Sequence, residues 1–295
     1  MSESASTVSA VRRVVVIAKT DSPEGPRIAA ELGPWLSGRG VEVRFEHDTA
    51  LAIGQQSGLS RDDLSSAGVD LAIVAGGDGT LLSVARAVTP WGISILGVNL
   101  GSLGFLTELQ PAELYEGLEA VLAGRYSIDE RQMLRVRLHR GELGRQEHTV
   151  LNDVVITKSA LARMIDIAVE VDGDEVAVYT SDGLIVSTPT GSTAYALSAG
   201  GPILDPRMSA YVIAPICPHT MTYRPLVVPA SGRVRVSMRS SDQEVYLTLD
   251  GQIGFPFGPD DVIEVDTHPE PVRLVRVAGR GFFEVLRRKL RWGER

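Results

Sequence analysis

The five residues Gly76-Gly77-Asp78-Gly79-Thr80 combine two features that oppose each other chemically. Glycines on both sides of one position let the backbone turn tightly and bring bare N–H groups against a ligand. Thr80 can cap a helix that starts here, and a helix N-terminus attracts anions. Phosphate is the natural guest of such a loop. Asp78, however, puts a carboxylate in the same place, where it repels phosphate unless it holds a cation or takes a proton from an attacking group. The loop therefore points to phosphoryl transfer as well as phosphate binding. A glycine-rich turn with Asp as a local cap reads the same residues structurally.

Three other segments carry polar groups in suggestive order. Asn99-Leu100-Gly101-Ser102-Leu103-Gly104-Phe105 fits a loop bordering the same crevice, or a structural turn. In Leu151-Asn152-Asp153-Val154, Asn offers donor and acceptor together and Asp acceptors only, so the pair can read a base edge, clamp ribose hydroxyls, or simply open a strand. The run from Ser181-Asp182-Gly183 through Ser187-Thr188-Pro189-Thr190-Gly191-Ser192-Thr193-Ala194-Tyr195 is dense in hydroxyls. It suits sugar, amide and phosphate contacts, or a structural Ser/Thr loop. Two familiar nucleotide motifs are missing. The lysines are Lys19, Lys158 and Lys289, and none follows a glycine, so there is no Walker loop. No G-x-G-x-x-G joins a strand to a helix, which weakens an ordinary dehydrogenase reading.

These segments need elements to hold them. Arg13 to Ala18 is an apolar run of strand length, Pro26 to Leu36 reads as a helix with Gly33-Pro34 near its end, and Val41 to Phe45 is a second strand. Asp70 to Ala75 is nearly all apolar, as in a parallel strand covered on both faces, and delivers the chain to Gly76. Leu81 to Val88 continues as a helix and Ile93 to Val98 as a strand ending at Asn99. Pro111 to Leu122 has Pro at a helix start, apolar Leu114, Leu118, Val121 and Leu122, and Gly124 as the stop. This βαβ rhythm predicts an open, mostly parallel α/β sheet, with ligands beyond the carboxyl ends of its strands. After residue 125 the period becomes two. Leu134, Val136 and Leu138, then Ile165, Ile167, Val169 and Val171 up to the turn Asp172-Gly173-Asp174, then Val234, Val236 and Met238, and Val245, Leu247 and Leu249 alternate with polar residues. That pattern predicts a mostly antiparallel β domain. Phe282 to Leu290 reads as a helix returning to the first domain. The expected division is a disordered tail over residues 1–11, an α/β domain over 12–125, a β-rich domain over 126–270 and a closing segment over 271–295.

The 295 residues are 44% hydrophobic and 22% charged, an ordinary globular composition. Twenty-nine Lys+Arg against 37 Asp+Glu give a formal net charge of −8, without the basic footprint of a general nucleic-acid binder. The single Cys217 cannot form an internal disulfide; it fits a reducing compartment and reads as a small core residue. No apolar run reaches signal-peptide or membrane-spanning length. The expectation is a cytoplasmic protein with neither nucleic acid nor membrane as a partner. Arg287, Arg288, Lys289 and Arg291 read as the solvated face of a last helix.

Taken together, the segments resemble the NAD kinase family over about residues 12 to 291. The GGDGT loop is shared with lipid and sugar kinases; the segment DGLIVSTPTGSTAYALSAGGP, Asp182 to Pro202, is far more specific. Asn152-Asp153, Pro218-His219-Thr220, Arg224-Pro225-Leu226-Val227 and Asp250-Gly251-Gln252 extend the likeness. The resemblance implies phosphorylation of the adenosine 2′-hydroxyl of NAD to NADP, with ATP or another phosphoryl donor, a divalent cation such as magnesium, and a homodimer or homotetramer. It implies Asp78 as the proton acceptor. Gly76, Gly77, Gly79 and Thr80 would surround the donor phosphates and dinucleotide, with Asn99 and Phe105 on the neighbouring loop. Asn152 and Asp153 would hold NAD, Arg163 would be a basic dinucleotide contact, and Thr180 and Asp182 would line the nicotinamide-side ribose. Thr193, Ala194, Tyr195, Ala196, Leu197 and Ser198 would contact the adenine half, and Gln252 would close the site. Some members carry Arg in place of Thr180, which leaves the choice between NAD and NADH open. Two alternatives share parts of the pattern. A lipid kinase of the diacylglycerol or sphingosine type also uses GGDGT, but the hydroxyl-rich run argues for a polar acceptor. A non-catalytic NAD(P)-binding regulator gains nothing from a carboxylate in a phosphate loop.

Overall fold

Runs of β-branched residues set the middle of the first sheet. β1 (Arg13–Ala18) is followed by α1 (Glu24–Ser37), which continues through Pro34 in its last turn, and by β2 (Glu42–Phe45) and the short α2 (His47–Ala52). β3 (Leu71–Gly76) lies parallel to β1, with Val14 opposite Leu71 and Ala18 opposite Ala75. All six residues of β3 are buried, the consequence of cover on both faces. α3 (Asp78–Val88) starts almost without a connection, and β4 (Ser94–Asn99) pairs with β3 so that Asn99 faces Gly76. The two glycine-rich loops therefore leave the sheet from the carboxyl ends of adjacent parallel strands. A single helical turn at Pro111–Glu113, closed by reciprocal bonds between Gln110 and Glu113, leads into α4 (Leu114–Leu122) and then β5 (Ser127–Arg131).

The structure, a computed structural model, describes residues 11–293 apart from 65–66, 102–103, 142–143, 161–162, 240–243, 278 and 280. The tail expected at the N-terminus, but for Val11, and Ser102 and Leu103 of the second glycine loop lie outside the described residues.

From β6 (Leu134–Arg140) up to Pro271 the strands of the described residues pair antiparallel. β7 (Arg145–Val150), β8 (Asp153–Lys158), β9 (Ile165–Val171), β10 (Asp174–Ser181) and β11 (Gly183–Ser187) precede the one-turn α5 (Tyr195–Ser198). β12 (Ala210–Ile216), β13 (Leu226–Pro229), β14 (Val234–Met238), β15 (Val245–Leu249), β16 (Ile253–Pro256) and β17 (Asp261–Thr267) follow. They form two six-stranded sheets, in the orders β10-β9-β14-β17-β6-β7 and β13-β12-β11-β8-β15-β16. Leu134, Val136 and Leu138 of one sheet share a buried apolar cluster with Val154, Ile156, Leu247 and Leu249 of the other. This is a sandwich core built from period-two strands. The opposite side of the first of these sheets carries paired charges, such as Arg137 with Asp266 at 2.7 Å and Arg135 with Asp266 at 2.8 Å.

β18 (Val272–Arg276) then takes its place between β4 and β5 in the first sheet, with Leu274 opposite Ile95, and α6 (Phe282–Leu290) follows. The chain thus divides into one compact unit of the residues up to Glu130 together with those from Val272, and a second of Arg131–Pro271. The returning strand is fastened by Arg276, whose guanidinium lies 3.0 Å from both Glu108 and Asp129, while the Val277 N–H donates to Glu108 at 2.8 Å.

Cys217 departs from the sequence expectation: it is exposed rather than in the core. β12 ends at Ile216 and the chain reverses at once, with Cys217 in the left-handed region at φ 43°.

Candidate active site

In the first unit the chemistry gathers at the start of α3. Gly77 is the helix N-cap in extended conformation and Leu81 makes the first helical backbone bond, to Gly77 at 3.1 Å. Thr80 therefore sits in the first turn and is not the cap, because the chain turns earlier than the residue types imply. The positive end of the helix faces the loop. Asp78, the first helical residue, turns its carboxylate to the neighbouring loop. Phe105 N–H donates to Oδ2 at 2.8 Å and Leu106 N–H donates to Oδ1 at 3.2 Å. Two donors fix the plane of the carboxylate and leave each oxygen a lone pair. Gly104 makes this possible: a Cβ there would lie 2.1 Å from Asp78 Oδ1. Asn99 is buried, with its amide folded back on its own loop: Nδ2 donates to the Gly101 carbonyl at 3.0 Å and Oδ1 accepts from the Gly101 N–H at 3.2 Å. Its side chain shapes the loop. Phe105 is half-buried, and the Lys289 ammonium of α6 stands 5.8 Å from its ring centre.

In the second unit the focus is the entry to β8. Asp250, only 7% exposed, accepts three consecutive backbone N–H groups: Leu151 at 3.2 Å, Asn152 at 2.7 Å and Asp153 at 3.4 Å. Asp250 and Gly251 have φ of 50° and 66°, and the Gln252 N–H donates to the Leu249 carbonyl at 2.9 Å. This is the left-handed hairpin turn that an Asp-Gly pair favours. Asp153 lies beside it, 5% exposed, and accepts the Tyr195 N–H. Burial, and next the charge of Asp250, push the Asp153 carboxyl up to about 7, against the opposing effect of the Tyr195 N–H. Near neutrality it is present both as carboxylate and as acid, and so can accept or donate.

The hydroxyl-rich run is chiefly architectural at its centre. Thr188 Oγ1 donates to the Leu151 carbonyl at 2.6 Å and accepts the Gly191 N–H at 2.9 Å. Ser187 Oγ lies 3.1 Å from the Asn152 carbonyl, and Ser192 Oγ donates to the Pro189 carbonyl and accepts the Leu204 N–H. These three residues are fully buried. Irregular chain inside a protein must satisfy its backbone, and short hydroxyl side chains do so locally. Gly191 lets the run approach the Asn152 carbonyl, which a Cβ would meet at 2.1 Å.

The remaining expected site residues divide by position. Tyr195 and Ser198 are exposed, Thr193, Ala194 and Leu197 are half-buried, and Ala196 is packed among Val155, Ile185 and Val212. Gln252 is exposed at the hairpin tip beside Asp250. Asp153 pairs with Ser187 at one end of β11, whereas Gly183, next to Asp182, pairs with Thr157 at the other. Asp182, one residue before Gly183, thus lies about 16 Å along the sheet from Asp153, and Thr180 lies beyond it on β10, a strand of the other sheet. Asp182 faces Lys158 at 3.5 Å, and Thr180 Oγ1 donates to Asp166 on the paired strand at 2.6 Å. Arg163 is exposed just before β9. The parts played by Asp250, Gly104 and Gly191 emerge only from the fold. The signal available in the sequence was the Asp-Gly dipeptide between two period-two runs; the two glycines matter through contacts distant in the chain.

Comparison with known proteins bears on this arrangement. The ATP-NAD kinase N-terminal domain model matches residues 14–126 and the ATP-NAD kinase C-terminal domain model residues 151–277. The NAD kinase of Geotalea daltonii is 49% identical over 285 residues, 97% of this chain and 100% of that one. The NAD kinase of Geobacter sulfurreducens is 48% identical over the same shares. Among solved structures, yeast NADH kinase complexed with NADH superposes with a TM-score of 0.85 at 26% identity, covering 97% of this chain and 89% of that one. An NAD kinase from Archaeoglobus fulgidus in complex with ATP gives 0.72 at 28% identity, covering 95% and 98%. These matches lend no support to the lipid-kinase or regulator alternatives. Both halves of the sequence answer to paired domains of one enzyme, in relatives aligned almost end to end, and this chain belongs to the NAD kinase family.

Proposed function

We propose that the chain transfers the terminal phosphoryl group of ATP, or of another donor, to the 2′-hydroxyl of the adenosine ribose of NAD, giving NADP. The observation that carries the mechanism is the Asp78 carboxylate, oriented by two backbone N–H groups at a helix N-terminus. The 2′-oxygen attacks the terminal phosphorus, the bond from that phosphorus to the bridging oxygen breaks, and the shortened donor leaves with the bridging electron pair. The hydroxyl proton passes to a remaining lone pair of Asp78. Positioning and electrostatics supply most of the acceleration in such a transfer. The amides of Gly76 to Thr80 receive the donor phosphates. Asn152 and Asp153 hold the adenosine ribose, and Tyr195 offers a face to the adenine. The roughly 16 Å along the sheet between Asp153 and Asp182 suits an extended dinucleotide, whose nicotinamide half reaches Asp182, Thr180 and the basic Arg163.

Among the described residues no three His, Cys, Asp or Glu side chains converge on a metal position. Magnesium would arrive with the donor phosphates, a mode that asks the protein for few ligands of its own. Bound there, it would neutralise phosphate charge. The family reading also carries a homodimer or homotetramer. A cytoplasmic enzyme handling nucleotides, not nucleic acid or membranes, accords with the charge of −8.

The test incubates purified protein and magnesium with NAD or NADH and, in turn, ATP, other nucleoside triphosphates and polyphosphate, and measures NADP(H). Asp78→Asn should lower kcat about 10²- to 10⁴-fold while directly measured NAD affinity changes much less. A folded Asp78→Asn protein with near-normal kcat removes Asp78 as proton acceptor. Absence of product with every donor removes the whole reading.

A further inference from the structure

Thr107 follows the glycine loop after β4 and is 7% exposed. Its two branches face different ways. The methyl lies against Gly97, where a Cβ would meet it at 3.3 Å. The hydroxyl points the other way: a Cβ on Gly104 would lie 2.6 Å from Thr107 Oγ1 and 2.1 Å from Asp78 Oδ1. The two oxygens are therefore at most 4.7 Å apart, the sum of those distances. Thr107 Oγ1 is nevertheless buried without a hydrogen-bond partner among the described residues. A buried hydroxyl in that condition destabilises the fold, and valine would fill the same space without the defect.

We propose that Thr107 is a positioning residue of the transfer, its hydroxyl a third donor to the Asp78 carboxylate from the protein side. Phe105 and Leu106 hold the carboxylate along one edge through their N–H groups. A donor on Oδ1 from Thr107 completes the set and directs the last free lone pair outward, toward the acceptor hydroxyl. Bonds of this kind are often long before substrate is bound and tighten in the complex. The absence of Cβ at Gly104 leaves the line between the two oxygens open. This inference rests on Asp78 as proton acceptor in the proposed reaction.

A positioning role and a merely structural one make opposite forecasts for Thr107→Val. Removing an unpartnered buried hydroxyl should leave the melting temperature unchanged or raise it. Losing a hydrogen bond to a charged group in the transition state should lower kcat about 10- to 100-fold, with NAD affinity measured by calorimetry within about threefold. Thr107→Ser, which keeps the hydroxyl, should retain kcat within about threefold. The proposal is overturned by a valine variant with kcat within about twofold of the unmutated protein. It is equally overturned by kcat and melting temperature falling together, or by a serine variant as slow as the valine one. An unmutated protein that makes no NADP overturns the proposed reaction and this inference with it; an active one with an unaffected valine variant overturns this inference alone.

Discussion

Replacing Asp250 by Asn should destabilise the protein in a way that depends on pH. The carboxylate serves three N–H groups, Oδ1 those of Asn152 and Asp153 and Oδ2 that of Leu151. An amide has one oxygen. Placed at the 2.7 Å bond to Asn152, it leaves an NH₂ facing the Leu151 N–H, 3.2 Å from the old acceptor. One buried N–H without its acceptor costs about 1–3 kcal/mol. The substitution also removes a negative charge beside Asp153. In the folded protein Asp153 holds its proton up to about 7, against an ordinary value of 3.8. A group raised in this way contributes stability that is complete below about pH 4 and is lost as pH climbs through about 7. The full displacement corresponds to about 4 kcal/mol. Burial is its first cause and persists in the variant, so relief from the lost charge is about 1–2 kcal/mol and is felt only where Asp153 is ionised. Urea unfolding should therefore show a loss of about 1–3 kcal/mol near pH 6 that shrinks by about 1–2 kcal/mol near pH 8.5. An equal loss at both pH values, or a larger one at the higher pH, would refute the coupling of the two carboxyl groups.

Gly104→Ala should disable the enzyme by displacing the Asp78 carboxylate, since the new Cβ would lie 2.1 Å from Oδ1. A kcat loss of about 10²-fold or more is expected, and a loss under tenfold would show that the carboxylate tolerates the shift. Arg276→Met takes the guanidinium from Oε2 of Glu108, whose side chain is 3% exposed, while Oε1 keeps the Val277 N–H. Because Arg276 itself is only partly buried, about 2–3 kcal/mol should be lost in urea unfolding, and a change below about 0.5 kcal/mol would count against the anchor. Thr180→Arg sets a guanidinium beside Asp166 where a hydroxyl now donates at 2.6 Å. It should change the ratio of kcat/KM for NAD and NADH, because only the oxidised ring carries positive charge. An unchanged ratio would take Thr180 out of the site.

The alternation of apolar β runs with helix patterns marks the first sheet as parallel from the residues alone, and the period-two runs announce the sandwich. What escapes such reading are elements whose pattern is weak. β5 has the sequence Ser-Ile-Asp-Glu-Arg, with too little apolar character to announce a strand, and its place beside β18 depends on chain about 140 residues away. The short α2 begins at His47 with Glu46 as cap and has no long apolar period. At the site, the glycine loop and the Asn152-Asp153 pair are legible because their residue types are chemically unusual for strand ends. The hydroxyl run is legible as special but not as scaffold. Ser187, Thr188 and Ser192 look the same in sequence whether they face a ligand or a carbonyl, and only the fold shows that they face Asn152, Leu151 and Pro189. Thr107 gives no signal, since a lone threonine after an apolar residue is ordinary.

The position of β18 between β4 and β5 has a consequence for biosynthesis. A ribosome makes β4 and β5 early, then all of Arg131–Pro271, and only afterwards the strand that joins them. At ~5–20 residues per second the gap lasts on the order of ten seconds. For that interval β5 has no neighbour in its sheet, and the edge of β4 that β18 will meet is covered only where Leu109 bridges Val98, its remainder open to any other extended chain. The second unit needs no residue beyond Pro271 for its two sheets, so its strands can pair while the first sheet waits. The unit that holds Asp78 begins first and finishes last, and a transcript stopped short of Val272 yields a chain whose sandwich can be complete and whose phosphate loop rests on an unfinished sheet.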